Sequence, residues 1–367
     1  MEPLKNMFSP AFIADVADSF KKVNSKLNEK KFINAIFNAG WEHKELKQRI
    51  RHISTVVHQF LTHDFSKDSD VLISWVHALK EEQGEKQSLE YIFLADFIEV
   101  YGQQDLAQSL KAIEEITQFT SCEFAIRPFI IKSPEKVMKQ MLKWSKHKNH
   151  YVRRLASEGC RPRLPWGMAI QAFKKDPSFI IPILENLKED TTLYVRKSVA
   201  NNLNDLTKDS PTIVIDLMKQ WKGKSVDTDW IIKHGARTLL KAANQEVLTL
   251  FEIDPRIKCS VVDFKLHQKE IKLGGALTFS CILKNDSKKE QRFRIEFAIF
   301  YMKSSGKLSR KLFKINENVH SKDAIISITK TLSFKDLTTR KHYEGSHKIA
   351  IVVNGNEVCE KEFMIVA

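Results

Sequence analysis

Three times in the middle of the chain, a Ser or Asp followed by proline leads at a near-constant distance to an aromatic residue, a β-branched residue and cations. Ser133-Pro134 leads to Tyr151-Val152-Arg153-Arg154, Asp176-Pro177 to Tyr194-Val195-Arg196-Lys197, and Ser210-Pro211 to Trp230-Ile231-Ile232-Lys233. The prolines stand 17, 17 and 19 residues ahead of their aromatics, and successive prolines are 43 and 34 residues apart. A capping residue followed by proline opens a helix, because proline gives up an N–H that would have no intrahelical partner there. A repeating unit of this length holds two helices and cannot bury its apolar face alone. Neighbouring units must therefore stack, which gives a curved solenoid with a concave face.

The residues before 254 agree with that reading. Glycine is sparse, and apolar residues recur at three- and four-residue spacing, as in Ile92, Leu94, Phe97, Ile98 and Tyr101, and in Val137, Met141, Leu142 and Trp144. We read 1–253 as a HEAT-like α-helical repeat domain. After Phe251-Glu252-Ile253-Asp254-Pro255 the period changes. Strand-like stretches run over 260–266, 276–283, 292–302, 311–315, 324–334, 348–353 and 357–366, divided by Gly274-Gly275, Asn285-Asp286, Ser304-Ser305-Gly306 and Asn354-Gly355-Asn356. Short strands at this density predict an immunoglobulin-like β-sandwich over 254–367. Lys311-Leu312-Phe313-Lys314-Ile315 mixes cations with apolar residues, so one face of the sandwich is expected to be core and the other basic.

The charge suggests a partner. Lys+Arg number 59 against 45 Asp+Glu, a net of +14. From 254 to 367 there are 22 cations and 13 acids, a net of +9, which leaves +5 for the longer first part. Excess charge aids solubility, but its concentration in one domain favours an anionic partner.

Several classes are set aside. No apolar run approaches the roughly 18 residues of a membrane span, and the opening Met1-Glu2-Pro3-Leu4-Lys5-Asn6 has no signal-peptide core. Cys122, Cys160, Cys259, Cys281 and Cys359 form no CxxC pair, so a cytoplasmic chain with free thiols is expected; Cys281 and Cys359 alone could face each other across the sandwich. Lys222-Gly223-Lys224-Ser225 lacks the first glycine of a phosphate-binding loop, which falls on Met218. His58 and His63 are five residues apart and share no helix face, so they are expected to be ordinary histidines. No metal or cofactor is implied.

The densest basic composition lies between Lys143 and Lys175, where nine cations surround one acid, Glu158. Such a strip suits a phosphate backbone, although a solvated helix face would look the same. Within it, Ser157-Glu158-Gly159-Cys160-Arg161-Pro162-Arg163-Leu164-Pro165-Trp166 carries helix breakers and reads as an inter-helix loop. Arg161 and Arg163 have the forked geometry for phosphate, and Arg153, Arg154, Lys148 and Arg196 extend the candidate DNA-binding set. Trp166 can stack on a sugar or base. Two further acids stand out. Glu123 precedes the apolar Phe124-Ala125-Ile126, and Asp205 occupies the same part of its repeat as the 158–166 loop does in the one before. Equivalent positions of neighbouring repeats line one face, so Asp205 and that loop are expected to meet.

At these residues the chain resembles the AlkC-type DNA alkylation repair glycosylases, relatives of the AlkD group. The resemblance rests on Glu2-Pro3-Leu4-Lys5-Asn6-Met7-Phe8, on Ser121-Cys122-Glu123-Phe124 with Arg127-Pro128-Phe129, on the loop Ser157 to Trp166, and on Tyr194 through Asp205. It covers essentially the whole chain, since AlkC-type members add an immunoglobulin-like domain to their helical repeats. Cys160 departs from the small residue, such as Thr, expected there.

The resemblance implies a monofunctional DNA glycosylase of base excision repair. It would hydrolyse the N-glycosidic bond of cationic bases, 3-methyladenine and 3-methylcytosine, in duplex DNA, as a monomer, without metal or cofactor and away from membranes. It implies that Asp205 and Glu123 stabilise the sugar cation and orient water, that Glu158 supports them, that Trp166 packs on the deoxyribose, and that Arg161 and Arg163 hold phosphates. The basic sandwich would clamp the duplex. Two other readings stay open: a non-catalytic repeat scaffold for a protein partner, and a DNA-binding relative without catalysis.

Overall fold

A computed structural model describes residues 2–38, 40–84, 86–337 and 340–367. The chain forms two compact units that divide between Gly235 and Ala236. The first is helical. The second holds two short helices and a β-sandwich.

The three repeats appear as antiparallel helix pairs: Pro134–Trp144 with His150–Glu158, Ile181–Leu187 with Leu193–Leu206, and Pro211–Trp221 with Val226–Gly235. The second helices of the pairs lie side by side in one row. Buried apolar side chains at helical spacing drive this: Val137, Met138, Met141 and Trp144 in one helix, Val195, Val199, Leu203 and Leu206 in another. Leu142, included in the expected stripe, instead points to solvent at 36% exposure.

The proline starts are only partly as expected. Pro134 and Pro211 do occupy the first helical turn, but neither Ser133 nor Ser210 caps through its side chain. Asp176-Pro177 opens a turn rather than a helix. The Asp176 side chain accepts from the Ser178 N–H, and the helix begins at Ile181 with Pro182 in its first turn.

Two features that the repeat motif did not reveal tie the units of the stack together. Trp144 and Trp221 close the first helices of their repeats. Each donates its indole N–H to a glutamate of an earlier helix, Trp144 to Glu114 of Leu106–Ile116 at 2.5 Å and Trp221 to Glu185 of Ile181–Leu187 at 2.7 Å. Arg153 and Arg196 are equivalent as well. Each donates to two carbonyls of its own inter-helix loop and pairs with an acid of the next repeat, Asp190 and Asp227 respectively.

In the second unit, the helices Arg237–Lys241 and Gln245–Leu250 precede the first strand. They group with the sandwich because the β turn at Gly355 approaches them closely. A Cβ on Gly355 would sit 2.6 Å from the Ala243 Cβ, and Gly355 itself takes φ +90°. Asn354 and Asn356 also donate to the carbonyls of Asp254 and Pro255. The unit therefore begins ahead of the change in residue pattern at 254.

The strands are β1 (Cys259–Leu266), β2 (Glu270–Lys272), β3 (Ala276–Asn285), β4 (Gln291–Met302), β5 (Leu308–His320), β6 (Ile325–Ser333), β7 (Gly345–Val353) and β8 (Asn356–Val366). One sheet runs β1-β3-β6 and the other β2-β8-β7-β4-β5. Between them lie Leu277, Phe279, Leu283, Phe293, Ile295 and Ile351 among others. Among the strands of the described residues, the short β2, which joins β8 in parallel, went unread in the sequence.

The expected basic outer face does not form. Leu312 and Phe313 point to opposite faces of β5. Leu312 joins Ala298, Ala350 and Val352 in a second buried cluster on the outer face of the five-stranded sheet. On that same face β8 presents Glu357, Glu360 and Glu362 opposite β7, where Lys348 pairs with Glu360. The outer face of the other sheet is largely Ser and Thr, with the Thr278 and Thr331 hydroxyls 2.9 Å apart. Exposed cations stand instead at the β4–β5 hairpin, Lys303, Lys307, Arg310 and Lys311, and around the turn after β3, Lys284, Lys288 and Lys289.

His58 and His63 do meet. His63 lies beyond the helix Leu46–Gln59 in a left-handed turn, φ +63°, which folds its Nδ1 back to 3.0 Å from the His58 Nε2. Helix spacing no longer applies across that turn. All five cysteines are free thiols.

Candidate active site

The first unit contains a cleft of about 990 Å³. One wall is the helix Leu46–Gln59. Another is the turn at Glu90–Ile92 with the helix Phe93–Tyr101. The segment 121–125 and the loop after Glu158 close the remaining sides. Leu46, Ile50, Ile92, Phe124, Leu164 and Met168 make its lining largely apolar, as in most sites that exclude water around a few polar groups. Toward one end, Arg51 holds Asp96 at 2.8 Å and lies 3.5 Å from Glu99. Burial, reinforced by Asp96, raises the Glu99 carboxyl above its usual range.

Glu123 and Glu158 both line the cleft. Ser121 Oγ and Arg154 Nη1 both reach the Glu123 Oε2. Arg154 continues to Glu158, its Nη2 3.6 Å from Oε1. The same oxygen takes Arg161 Nη1 at 2.6 Å, while Ser198 Oγ donates to Glu158 Oε2 at 2.6 Å. Arg161 Nε donates in turn to Asp205 Oδ2 at 2.9 Å. The result is a continuous chain, Glu123–Arg154–Glu158–Arg161–Asp205, with three carboxylates alternating with two guanidinium groups. Burial penalises both arginine cations, but the flanking carboxylates outweigh it and hold their pKa values above normal. Both arginines are therefore fixed charges.

The repeat stack explains the convergence. Glu158 ends one second helix, and Asp205 lies in the last turn of the neighbouring one. Asn202, one turn before Asp205, donates to the Ser157 carbonyl at 2.8 Å and locks the two helices in register. As expected from the repeat, Asp205 meets the loop. It does so through Arg161, however, and is not itself a lining residue of the cleft.

The six arginine and lysine candidates fall into different environments. Arg154 and Arg161 are buried at 8% and 6% exposure, both held by the acids. Arg153 and Arg196 bind inter-helix loops and neighbouring acids. Arg163 makes a two-pronged pair with Asp209, at 3.0 and 2.6 Å, on the surface. Lys148 is exposed.

Trp166 is 63% exposed and sits at the lip of the cleft with φ +64°, a left-handed backbone unusual for an aromatic residue. Lys47, from the opposite wall, donates its ammonium to the Trp166 carbonyl. Lys47, Ser121, Ser198 and Arg127 all belong to this site but were not singled out in the sequence. Ser121, Arg127 and Ser198 lie within segments of the resemblance. Lys47 carries no local signal, because its partner is distant in sequence.

Comparison with known proteins adds to this geometry. A family profile described as DNA alkylation repair enzyme matches residues 47–243, and one described as the C-terminal Ig-like domain of the uncharacterised protein YhaZ matches 260–367. Over 365 residues, spanning all of both proteins, the chain is 38% identical to the uncharacterized protein YhaZ of Bacillus subtilis strain 168. An alkylpurine DNA glycosylase, AlkC of Pseudomonas fluorescens, solved bound to DNA containing an abasic site analog, superimposes with a TM-score of 0.93 at 32% identity over the whole of both chains.

Proposed function

The chain belongs to the DNA alkylation repair enzyme family, and on that premise we propose that it is a monofunctional DNA glycosylase. Its substrates in this reading are cationic alkylated bases in duplex DNA, 3-methyladenine and 3-methylcytosine. The observation that carries the reading is the chain of three carboxylates and two arginines opening on an apolar cleft.

The chemistry fits that arrangement. An alkylated base already bears positive charge and departs as a neutral molecule, so a strong general acid is not required. The barrier lies in the cation that develops on the sugar and in placing the water. Carboxylates held in fixed places in a sheltered site stabilise that cation without reorganisation. Glu123 is the most accessible of the three acids and would face the sugar, with Glu158 beside it at the cleft wall. Asp205 would act through Arg161, biasing its hold on Glu158. Trp166, exposed at the lip, would pack against the deoxyribose.

Phosphate binding falls in this reading to exposed cations: Lys148, Arg163 once exchanged from Asp209, and the Lys303–Lys311 hairpin of the second unit. The related glycosylase was solved bound to DNA, which supports DNA as the partner.

The test is direct. Purified protein is incubated with duplex DNA treated with a methylating agent, and free bases are separated and identified. Release of 3-methyladenine with abasic sites and uncut strands is the expected result. Duplex binding without any base release would sink the enzyme reading and favour a silent DNA-binding relative.

A further inference from the structure

We propose that Arg127 is a positioning residue of this site: it clasps both ends of the 159–168 loop and so sets the places of Arg161 and Trp166. Arg127 lies in the first turn of the helix Ile126–Lys132 and is fully buried. Its Nη1 donates to the Gly159 carbonyl at 2.9 Å, where the loop leaves its helix. Its Nε donates to the Met168 carbonyl at 2.6 Å, where the loop returns. Arg161 follows the first clasp point by two residues, and Trp166 precedes the second by two.

A buried guanidinium is normally matched by a carboxylate. Arg127 instead holds carbonyls, and its Nη2 has no hydrogen-bond partner among the described residues. Burial lowers its pKa to about 10, so it remains charged at neutral pH. A cation kept at that cost suggests a requirement for its two carbonyl contacts rather than for packing alone.

The loop is shaped around the clasp. A Cβ on Gly167 would stand 3.3 Å from the Arg127 Nε and 3.1 Å from the Leu164 Cδ2. A Cβ on Gly159 would meet the Ile126 Cγ2 at 2.7 Å. Both glycines thus let the backbone approach the helix that carries Arg127. The loop's own backbone bonds are few, among them Gly167 N–H to the Leu164 carbonyl at 3.1 Å and Ile170 N–H to the Pro162 carbonyl at 3.3 Å. Its other ties start within the loop, through Arg161 to Glu158 and Asp205, Arg163 to Asp209 and Lys47 to the Trp166 carbonyl, whereas the clasp anchors both of its ends to one helix.

The test compares Arg127→Met with Arg127→Lys, and its kinetic arm rests on the glycosylase reading. Tryptic cleavage at the Arg163–Leu164 bond, located by mass spectrometry, reports the loop whether or not the protein is an enzyme. Folding is checked by circular dichroism. With Met, cleavage there should rise about tenfold as local opening becomes easier, and kcat should fall about a hundredfold, the scale of a small misplacement, with KM little changed. Lys should recover part of both. A folded Met variant with wild-type cleavage and kcat overturns the proposal. If Arg127→Met does not fold, Gly167→Ala decides. It presses on Arg127 and Leu164 in an otherwise intact chain and should loosen the same bond, and wild-type cleavage in that folded variant overturns the clasp. Wild-type protein that releases no base overturns the glycosylase reading instead, and cleavage alone then judges Arg127.

Discussion

Nε of Arg161 donates to Oδ2 of Asp205 at 2.9 Å, joining a loop to the last turn of a helix 44 residues further along the chain. The same guanidinium holds Glu158 at 2.6 Å, and all three side chains are at least nine-tenths buried. Removing Arg161 would leave two buried carboxylates short of their main partner. Arg161→Leu should therefore destabilise the protein by about 3–5 kcal/mol, measured by denaturant unfolding. Asp205→Asn keeps an oxygen for Arg161 and should fold normally, while base release drops at least about tenfold through loss of fixed charge. Near-normal release by Asp205→Asn would remove Asp205 from the machinery.

Glu123 gives a sharper separation of folding from chemistry. Its Oε2 is held by Ser121 and Arg154, and a glutamine at this position can still present an oxygen to both. Glu123→Gln should retain the wild-type unfolding curve but lose about 10²- to 10³-fold in single-turnover base release, the range seen when one charge-stabilising group is removed. A change confined to DNA affinity would assign Glu123 to binding instead.

The two acids also mark what sequence reading can and cannot reach. Fold class was legible because both periods, the helix pair and the alternating strand, are written in local apolar spacing. The meeting of Asp205 with the 158–166 loop was legible because repeats place equivalent positions side by side. What escaped were pairings set by packing. Arg154 and Arg161 stand in a basic strip, yet lie buried on acids that come from three separate segments. Leu312 and Phe313 are adjacent and both apolar, and alternation alone does not tell that both faces of β5 are covered. Arg127 looks in sequence like one more cation, since its carbonyl partners lie 32 and 41 residues away.

The hairpin between β4 and β5 offers a charge test of the second unit. Its turn brings Lys303 N–H to the Lys307 carbonyl at 3.0 Å, with both side chains exposed. If each contacts a phosphate, replacing both with glutamine should flatten the dependence of log affinity on log salt by about 1.8, at about 0.9 per lost contact. Duplex binding titrated at several salt concentrations measures this. An unchanged slope would free the hairpin of any role in holding DNA.

Histidine titration should make the second unit sensitive to mild acid. His347 in β7 is 1% exposed and packed among Phe334, Phe363 and Tyr301. Its Nδ1 lies 3.0 Å from the Gly345 carbonyl, and Nε2 has no hydrogen-bond partner among the described residues. Burial lowers its pKa, with the neighbouring His342 adding to the effect, and His342 is itself lowered by burial. A histidine held neutral in the folded protein but titrating near 6.5 when unfolded makes the unfolded state bind more protons in acid. Stability is thus complete above about pH 6.5 and falls as the pH drops below it toward the folded pKa. Amide exchange in β7 and β8 should accordingly quicken between pH 7 and pH 5 once intrinsic exchange rates are divided out. His347→Leu has no proton to take up and should flatten that trend, leaving the share due to His342. A trend as steep in His347→Leu as in the wild type would place the acid sensitivity elsewhere in the sandwich.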